Sequence, residues 1–392
     1  MQVSKQKHII WPLAFMMFNL SRLMIFRNKR LWVFGAWEGM KYDDNTRYLF
    51  EYVNRHYSDS VKTVWLSKNQ EVVDSVRSVG LEAYRTDCLK SLWMQIRAGV
   101  AIYTNSLNDF GMFPMVGGAE VVTTWHGMSF KKIYNSKYHG WKLLVKQTMD
   151  RLFSWTYRTL STVPSEQGRK WLMESFTLNP EEIYITGQPR NDVLKQVDRE
   201  KVLNQMGINP ERKVILYLPT YRLPSMGKNA MERIVKDMYD CQQLSKVLDE
   251  NNCVMVVKPH PLTPKLEIEC RENFVVMDYL SVANNQELLG SGDILVTDFS
   301  GGFIDFALLN RPIIFYEPDE EKFLAQSEEM DEKFFELCKM NKAVTPEELA
   351  DRIAHPSTVA CDATNEIWED KSIRDTCYSE NVYQVIKKKV GI

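Results

Sequence analysis

The sequence predicts an α/β protein of two Rossmann-like domains facing a cleft, preceded by a basic apolar helix at a membrane surface. Three observations carry this. Short β-branched apolar runs alternate with helical patterns along most of the chain, which argues parallel sheets covered on both faces. The alternation is interrupted once, at Asp198–Pro210, and then restarts. The glycine-, proline- and histidine-bearing turns fall at the carboxyl ends of predicted strands, where open α/β sheets bind ligands.

Bulk composition narrows the class. With 392 residues, 44% hydrophobic and 26% charged, the chain has apolar material for two cores. A net charge of −2 gives no argument for nucleic acid. Seven scattered cysteines form no C-x-x-C pair, so neither a zinc site nor a disulfide framework is indicated, and a reducing cytoplasm fits best.

At the N-terminus no acidic residue precedes Glu38, while Lys5, Lys7, Arg22, Arg27, Lys29 and Arg30 are basic. A spanning helix needs about 20 apolar residues. Here Arg22 interrupts the apolar run of residues 9–26, and Pro12 and Asn19 weaken it. No small-residue site for signal cleavage follows. A helix lying among anionic headgroups suits residues 1–28 best, with packing on the globular body as the alternative.

The α/β rhythm starts at a strand over Leu31–Trp37, followed by a polar loop, Trp37–Asn45, and a helix, Thr46–His56. Further strands are predicted at Val61–Leu66, Ala83–Arg85, Val100–Thr104, Val121–Trp125, Ser161–Ser165 and Ile183–Thr186. A polar helix, Asp198–Met206, with Gly207-Ile208-Asn209-Pro210, reads as a linker, placing one domain at 29–197 and the other, with the C-terminal helices, at 198–392. The second domain opens with a strand at Lys213–Leu218, one helix over Ala230–Asn251, and strands at Val254–Val257 and Phe274–Met277. Then comes the unit around which the chain is organised: a strand at Asp293–Thr297, a tight turn, a buried helix at Phe303–Leu309 and a strand at Ile313–Tyr316. Beyond Pro318 the chain is acidic and helical, with Thr345-Pro346-Glu347-Glu348 opening a helix.

The tight turn Asp298-Phe299-Ser300-Gly301-Gly302 sets Ser300, Gly301 and Gly302 at a helix N-terminus, where free amides and the helix dipole favour an anion. Two glycines there let a ligand approach the backbone. No G-x-G-x-x-G or Walker loop is present, so no dinucleotide or ATP site is read. Four other turns stand out: Trp125-His126-Gly127, Thr186–Asp192 with Arg190 and Asn191, Pro219-Thr220-Tyr221-Arg222, and Lys258-Pro259-His260-Pro261. Each alone reads equally well as a plain turn, a surface cation or a proline stop. Together they are expected to bring Arg190, Arg222, Lys258 and His260 towards Ser300, making a site for a multiply charged anion such as a pyrophosphate.

The set TWHG, GQPRND, LYLPTYR, KPHP and DILVTDFSGGFIDFALLNRPIIFY, in that order, resembles the CDP-glycerol glycerophosphotransferase family, which builds teichoic-acid-type and related capsular polymers. The resemblance runs from about Leu31 to Pro318. It implies a GT-B-like fold, with the acceptor served by the N-terminal domain and a CDP-alcohol donor by the C-terminal one. It also implies a lipid-linked or polymeric glycan acceptor and a peripheral place on the cytoplasmic membrane face. The family's two histidines map to His126 and His260, and its anion-binding serine to Ser300. The chain departs from the pattern at Gly301 (usually a second serine), Phe299 (tyrosine), Met128 (threonine) and the acidic Glu317–Glu336 segment. Those departures bear on the alcohol more than on the reaction.

The reading is attack of an acceptor hydroxyl on the β-phosphorus of a CDP-polyol, glycerol phosphate foremost, with release of CMP. Such transfer asks mainly for positioning and charge stabilisation. His126 is the candidate general base. Lys258, His260, Arg222 and the Ser300–Gly302 amides would hold the pyrophosphate, with Arg190, Asn191, Thr220, Thr297 and Asp298 beside them. For Asp298 itself a helix-capping role is expected ahead of orienting a histidine. These turns hold no aspartate-rich cluster, and a Mg²⁺ requirement is left open. Two rivals remain: a GT-B glycosyltransferase using a nucleotide sugar, and an inactive binding subunit of a polymer-assembly complex. Retention of both histidines and the cations argues against the second.

Overall fold

The structure is a computed structural model that describes residues 5–24, 26–153, 156–227, 229–277, 284–326 and 329–392, with 5–11 and 151–153 as backbone only. Its contacts divide the chain into two compact units. One comprises Met1–His126, Tyr134–Asp192 and Asp370–Ile392; the other comprises Gly127–Ile133 and Val193–Glu369.

The first unit is built on a parallel sheet of β1 (Asn28–Phe34), β2 (Lys62–Ser67), β3 (Ala83–Arg85), β4 (Ala98–Tyr103), β5 (Glu120–Thr123), β6 (Leu160–Val163) and β7 (Ile183–Ile185), in the order β3-β2-β1-β4-β5-β6-β7. Alternate residues of a strand face opposite sides, and β1 serves two cores in this way. Trp32 and Phe34 join Trp65, Ile102 and Val122 under the helices Asp44–Tyr57 and Tyr378–Val390, while Leu31 and Val33 join Leu66, Tyr103 and Val121 on the other face. The last helix groups with this unit, whereas the sequence had placed the C-terminal helices with the second domain. It is held by Tyr383 stacked on Tyr57 at 3.7 Å, and by the Asp192 carboxylate, which accepts from the amides of Tyr378 and Ser379 at 2.7 and 2.8 Å.

The N-terminal helix, Lys5–Ser21, has two faces. Ala14, Phe15, Phe18 and Ser21 are buried, and Ser21 Oγ accepts from the Gly117 amide at 2.8 Å. Leu13, Met16 and Leu20 are exposed, and just beyond the helix Leu23 and Phe26 are each 72% exposed. The packing alternative therefore holds for one face. Among the described residues no helix is long and apolar enough to cross a membrane.

The second unit carries a parallel sheet of β8 (Lys213–Leu218), β9 (Cys253–Val257), β10 (Phe274–Val276), β11 (Ile294–Thr297), β12 (Ile313–Tyr316) and β13 (Lys342–Ala343), ordered β10-β9-β8-β11-β12-β13. β13, of two residues, was not foreseen. The single helix expected over Ala230–Asn251 is two, Ala230–Asp240 and Gln242–Glu250. They part at Cys241, whose backbone is extended (φ −71°, ψ 110°) and whose Sγ accepts from the Leu244 amide. In each sheet the strand order reverses beside the first strand, between β1 and β4 and between β8 and β11. Such switch points open a crevice at the strands' carboxyl ends, the usual ligand position in this architecture.

Candidate functional site

In the first unit the site is built around His126, three residues past β5. The backbone entering and leaving it is unusual: Trp125 has φ 51° and Gly127 φ 110°. A tryptophan in the left-handed region costs of order 1–3 kcal/mol and persists only where its surroundings enforce it. Here the enforcement is visible. Asn45 Nδ2 donates to the carbonyls of Thr124 (3.1 Å) and Trp125 (3.0 Å), and Arg190 Nη1 donates to the carbonyl of His126 (3.0 Å). Asn45 Oδ1 in turn accepts from the Arg190 amide at 3.1 Å, and buried Asp44 pairs with the Arg190 guanidinium at 3.0 Å.

The His126 ring lies 4.3 Å from that of Trp125 and 5.6 Å from that of Trp37. Burial lowers its pKa to about 4, the Arg190 charge adds to this, and a hydrogen bond with the Thr104 backbone opposes it. The imidazole is therefore neutral at neutral pH. Its Nδ1 is buried and meets no hydrogen-bond partner among the described residues.

Arg190 and Asn191 belong with His126 in sequence and in space. Both lie in the first unit, as His126 does. Buried Asp44 supplies the counter-charge that draws Arg190 there. Asn191 is buried, its amide donating to the Gln188 carbonyl at 2.9 Å.

In the second unit the turns after β8 and β11 meet at the switch point, and Asp298 joins them. Its fully buried carboxylate accepts from the amide and hydroxyl of Thr220 (2.8 and 2.7 Å) and from Arg222 Nη1 (2.7 Å). Arg222 also forks onto Asp319, Nε and Nη2 each at 2.8 Å, and its side chain is 1% exposed. Burial disfavours its charge, but Asp298 and Asp319 outweigh burial and raise its pKa. The expectations for Asp298 and Arg222 are both corrected. Asp298 does not cap the following helix, and Arg222, enclosed by two carboxylates and stacked over Phe323, presents no face to a ligand. Thr220 is committed to the same carboxylate, and Thr297 Oγ1 donates to the Leu218 carbonyl at 3.3 Å.

Lys258 and His260 follow β9. Lys258 Nζ donates to Asn285 Oδ1 at 2.6 Å. The Leu262 amide donates to His260 Nδ1 at 3.1 Å, which leaves the proton of a neutral imidazole on Nε2. The His260 ring lies 5.5 Å from that of Tyr221.

The two glycines after Ser300 differ. A Cβ on Gly301 would lie 2.5 Å from the Met128 carbonyl oxygen, so the chain's own loop fills that space. That loop, Gly127–Ile133, belongs to this unit: the ring of Phe130 stacks on Phe303, and the Asp331 amide donates to the Phe130 carbonyl at 2.8 Å. A Cβ on Gly302 would meet nothing nearer than Ser300 Oγ at 3.7 Å. The open approach expected at both glycines is thus closed at Gly301, while the space beside Gly302 is free. The helix they open, Gly302–Ala307, is shorter than expected, and Ser300 Oγ accepts from the Gly302 amide at 3.4 Å. Among the described residues no group of three or more His, Cys, Asp or Glu is placed to hold a metal ion.

Sequence reasoning missed Asp44, Asn45 and Asp319. The first two sit at the end of the polar loop after β1, where Asp43-Asp44-Asn45 reads as an ordinary helix start. Asp319 stands in an acidic run that reads as a solvated face.

Comparison with known proteins gives concordant results. A family model described as CDP-glycerol:poly(glycerophosphate) glycerophosphotransferase matches residues 16–387. The teichoic acid poly(glycerol phosphate) polymerase of Bacillus spizizenii is 29% identical over 325 residues, 75% of either chain. The teichoic acid glycerol-phosphate transferase of Staphylococcus aureus is 28% identical over 308 residues, 76% of either chain. The Bacillus subtilis poly(glycerol phosphate) polymerase is 26% identical over 74% of this chain but only 39% of its own, so this chain spans well under half of that relative. Among solved structures, the wall teichoic acid polymerase TagF is similar with TM-score 0.75 and 20% identity, over 97% of this chain and 94% of that one. A UDP-GlcNAc 2-epimerase from Neisseria meningitidis is similar with TM-score 0.55 and 13% identity, over 92% and 100%. At these identities the structural likenesses speak for the fold.

Proposed function

The chain belongs to the CDP-glycerol:poly(glycerophosphate) glycerophosphotransferase family, and we propose how its own residues carry the transfer of glycerol phosphate from CDP-glycerol into wall polymer. The observation that carries this reading is the family match across residues 16–387. An acceptor hydroxyl attacks the β-phosphorus. The new P–O bond forms as the bond to the bridging oxygen breaks, and CMP leaves with that oxygen. His126 takes the hydroxyl proton: burial keeps its imidazole neutral at neutral pH. Lys258, His260 through Nε2, and the Ser300–Gly302 turn receive the pyrophosphate and stabilise departing CMP. Asp298, Thr220, Arg222 and Thr297 hold the turns in place instead of touching the donor.

The acceptor is a lipid-linked or polymeric glycan, and the enzyme works peripherally at an anionic cytoplasmic membrane face. Supporting this, the helix Trp141–Phe153 exposes Trp141, Leu144, Val145 and Met149 along one face, with Lys142 beside them. The N-terminal helix of the same unit exposes Leu13, Met16 and Leu20. Exposed apolar faces of this kind suit insertion among anionic headgroups.

Steady-state kinetics with CMP release as readout tests the assignment. His126→Ala should lower kcat by roughly 100- to 10,000-fold with CDP-glycerol affinity little changed, because a base acts on the acceptor. His260→Ala should impair both. A folded His126→Ala with near-normal turnover would remove the base assignment.

A further inference from the structure

We propose that Asn45 and Arg190 are positioning residues that together fix the orientation of the His126 imidazole; its catalytic consequence rests on the reading of His126 as the base. Successive carbonyls in an extended strand point in opposite directions, so one side chain cannot ordinarily satisfy two of them. Yet both hydrogens of the Asn45 amide are taken by adjacent carbonyls, those of Thr124 and Trp125. The chain meets that demand by turning Trp125 to φ 51°, and the turn aims the next residue, His126. The third carbonyl in the row, that of His126 itself, is held by Arg190 Nη1.

The two clamps are locked to each other. Asn45 Oδ1 accepts from the Arg190 amide, and Asp44, the residue before Asn45, pairs with the Arg190 guanidinium. Asn45 is 0% exposed and lies in the first turn of the helix Asp44–Tyr57, a rigid support packed under the sheet. An amide is required at this position. A carboxylate of the same shape would set lone pairs against two carbonyl oxygens, and alanine would leave both carbonyls buried and unsatisfied. The groups that face His126 are the Arg190 charge, the Thr104 backbone and the rings of Trp37 and Trp125, so released strain changes what surrounds the ring.

The test compares Asn45→Asp, Asn45→Ala and Arg190→Lys with wild type by thermal melt, by kinetics on CDP-glycerol and by NMR titration of the histidines, with His126→Ala assigning the resonance. A displacement near 1 Å at a reacting group costs on the order of 100-fold. We expect kcat to fall about 10- to 100-fold in folded Asn45→Asp, with KM for CDP-glycerol within about threefold of wild type. In Asn45→Ala and Arg190→Lys, which bring no new charge, the His126 midpoint should rise from about 4 as the ring gains solvent. A merely structural asparagine would move the melt and leave both readouts in place. If the Asn45 variants do not fold, Arg190→Lys, which keeps the charge but not the fork, is held to the same outcomes. Folded variants with wild-type kcat and an unmoved His126 midpoint would overturn the proposal. An undiminished kcat in His126→Ala would instead overturn only the base reading, because the titration reports the clamp whatever the imidazole does.

Discussion

Replacing Arg222 with alanine should destabilise the second unit far more than it weakens donor binding. The side chain is 1% exposed and joins Asp298, 0% exposed, to Asp319, 14% exposed. Once Arg222 is gone, Asp319 can turn to water. Asp298 cannot, and among the described residues it keeps the amide and hydroxyl of Thr220. Removing one partner of a buried ion pair typically costs 3–5 kcal/mol because the other charge is left stranded. For a unit of this size each kcal/mol shifts the melting temperature by roughly 2–4 °C, so a fall of about 6–20 °C is expected. Calorimetric melts at neutral pH measure it. The double variant Arg222→Met with Asp298→Asn removes both charges and should recover much of the loss, since neutral replacements avoid the stranded carboxylate. Arg222→Ala melting within about 2 °C of wild type while losing CDP-glycerol affinity would refute this reasoning and make the guanidinium a ligand after all.

Further outcomes are expected. The acid limb of kcat/KM should lie near pH 4, because burial holds the His126 pKa at about 4 and only its neutral form accepts a proton; a limb near 6.5 in still-folded enzyme would mean a solvated imidazole. The same depressed pKa contributes stability above the unfolded value of about 6.5 that is lost as pH falls towards the folded one. Gly301→Ala should lower the melt by the equivalent of about 1–3 kcal/mol through its clash with Met128. Gly302→Ala should melt like wild type yet bind CDP-glycerol less well, and undiminished affinity would take the pyrophosphate away from that amide. Glutamates at Leu144 and Val145, or at Leu23 and Phe26, should abolish co-flotation with anionic vesicles; full flotation of both variants would remove the membrane assignment.

What the sequence revealed and what it hid follow from the range of the interactions. Strands such as Lys213–Leu218 and Ile313–Tyr316 were legible to the residue, because apolar runs and their bounding turns are local signals. The histidine turns were legible for the same reason. The role of Asp298 was not, since its partners Thr220 and Arg222 lie 78 and 76 residues away, and the local rule offered only a cap. Asn45 was hidden likewise: it acts on Trp125, 80 residues on, and on Arg190, 145 residues on. Gly301 and Gly302 look alike as letters. Only the path of the loop carrying Met128 separates the glycine that admits backbone from the one that opens outward. The break at Cys241 had no glycine or proline to announce it, and nothing in the sequence marks the two residues of β13 as a strand.

The most direct measurement of the central claim is donor turnover: the purified chain incubated with an acceptor-bearing membrane extract and, separately, CDP-glycerol, CDP-ribitol or a UDP-sugar, with the released nucleotide quantified. CMP is expected from CDP-glycerol, with label from the glycerol phosphate carried into acceptor, and its release is expected to be lost in folded His126→Ala. UDP released from a UDP-sugar, with no CMP from either CDP-alcohol, would contradict it and make the reaction glycosyl transfer.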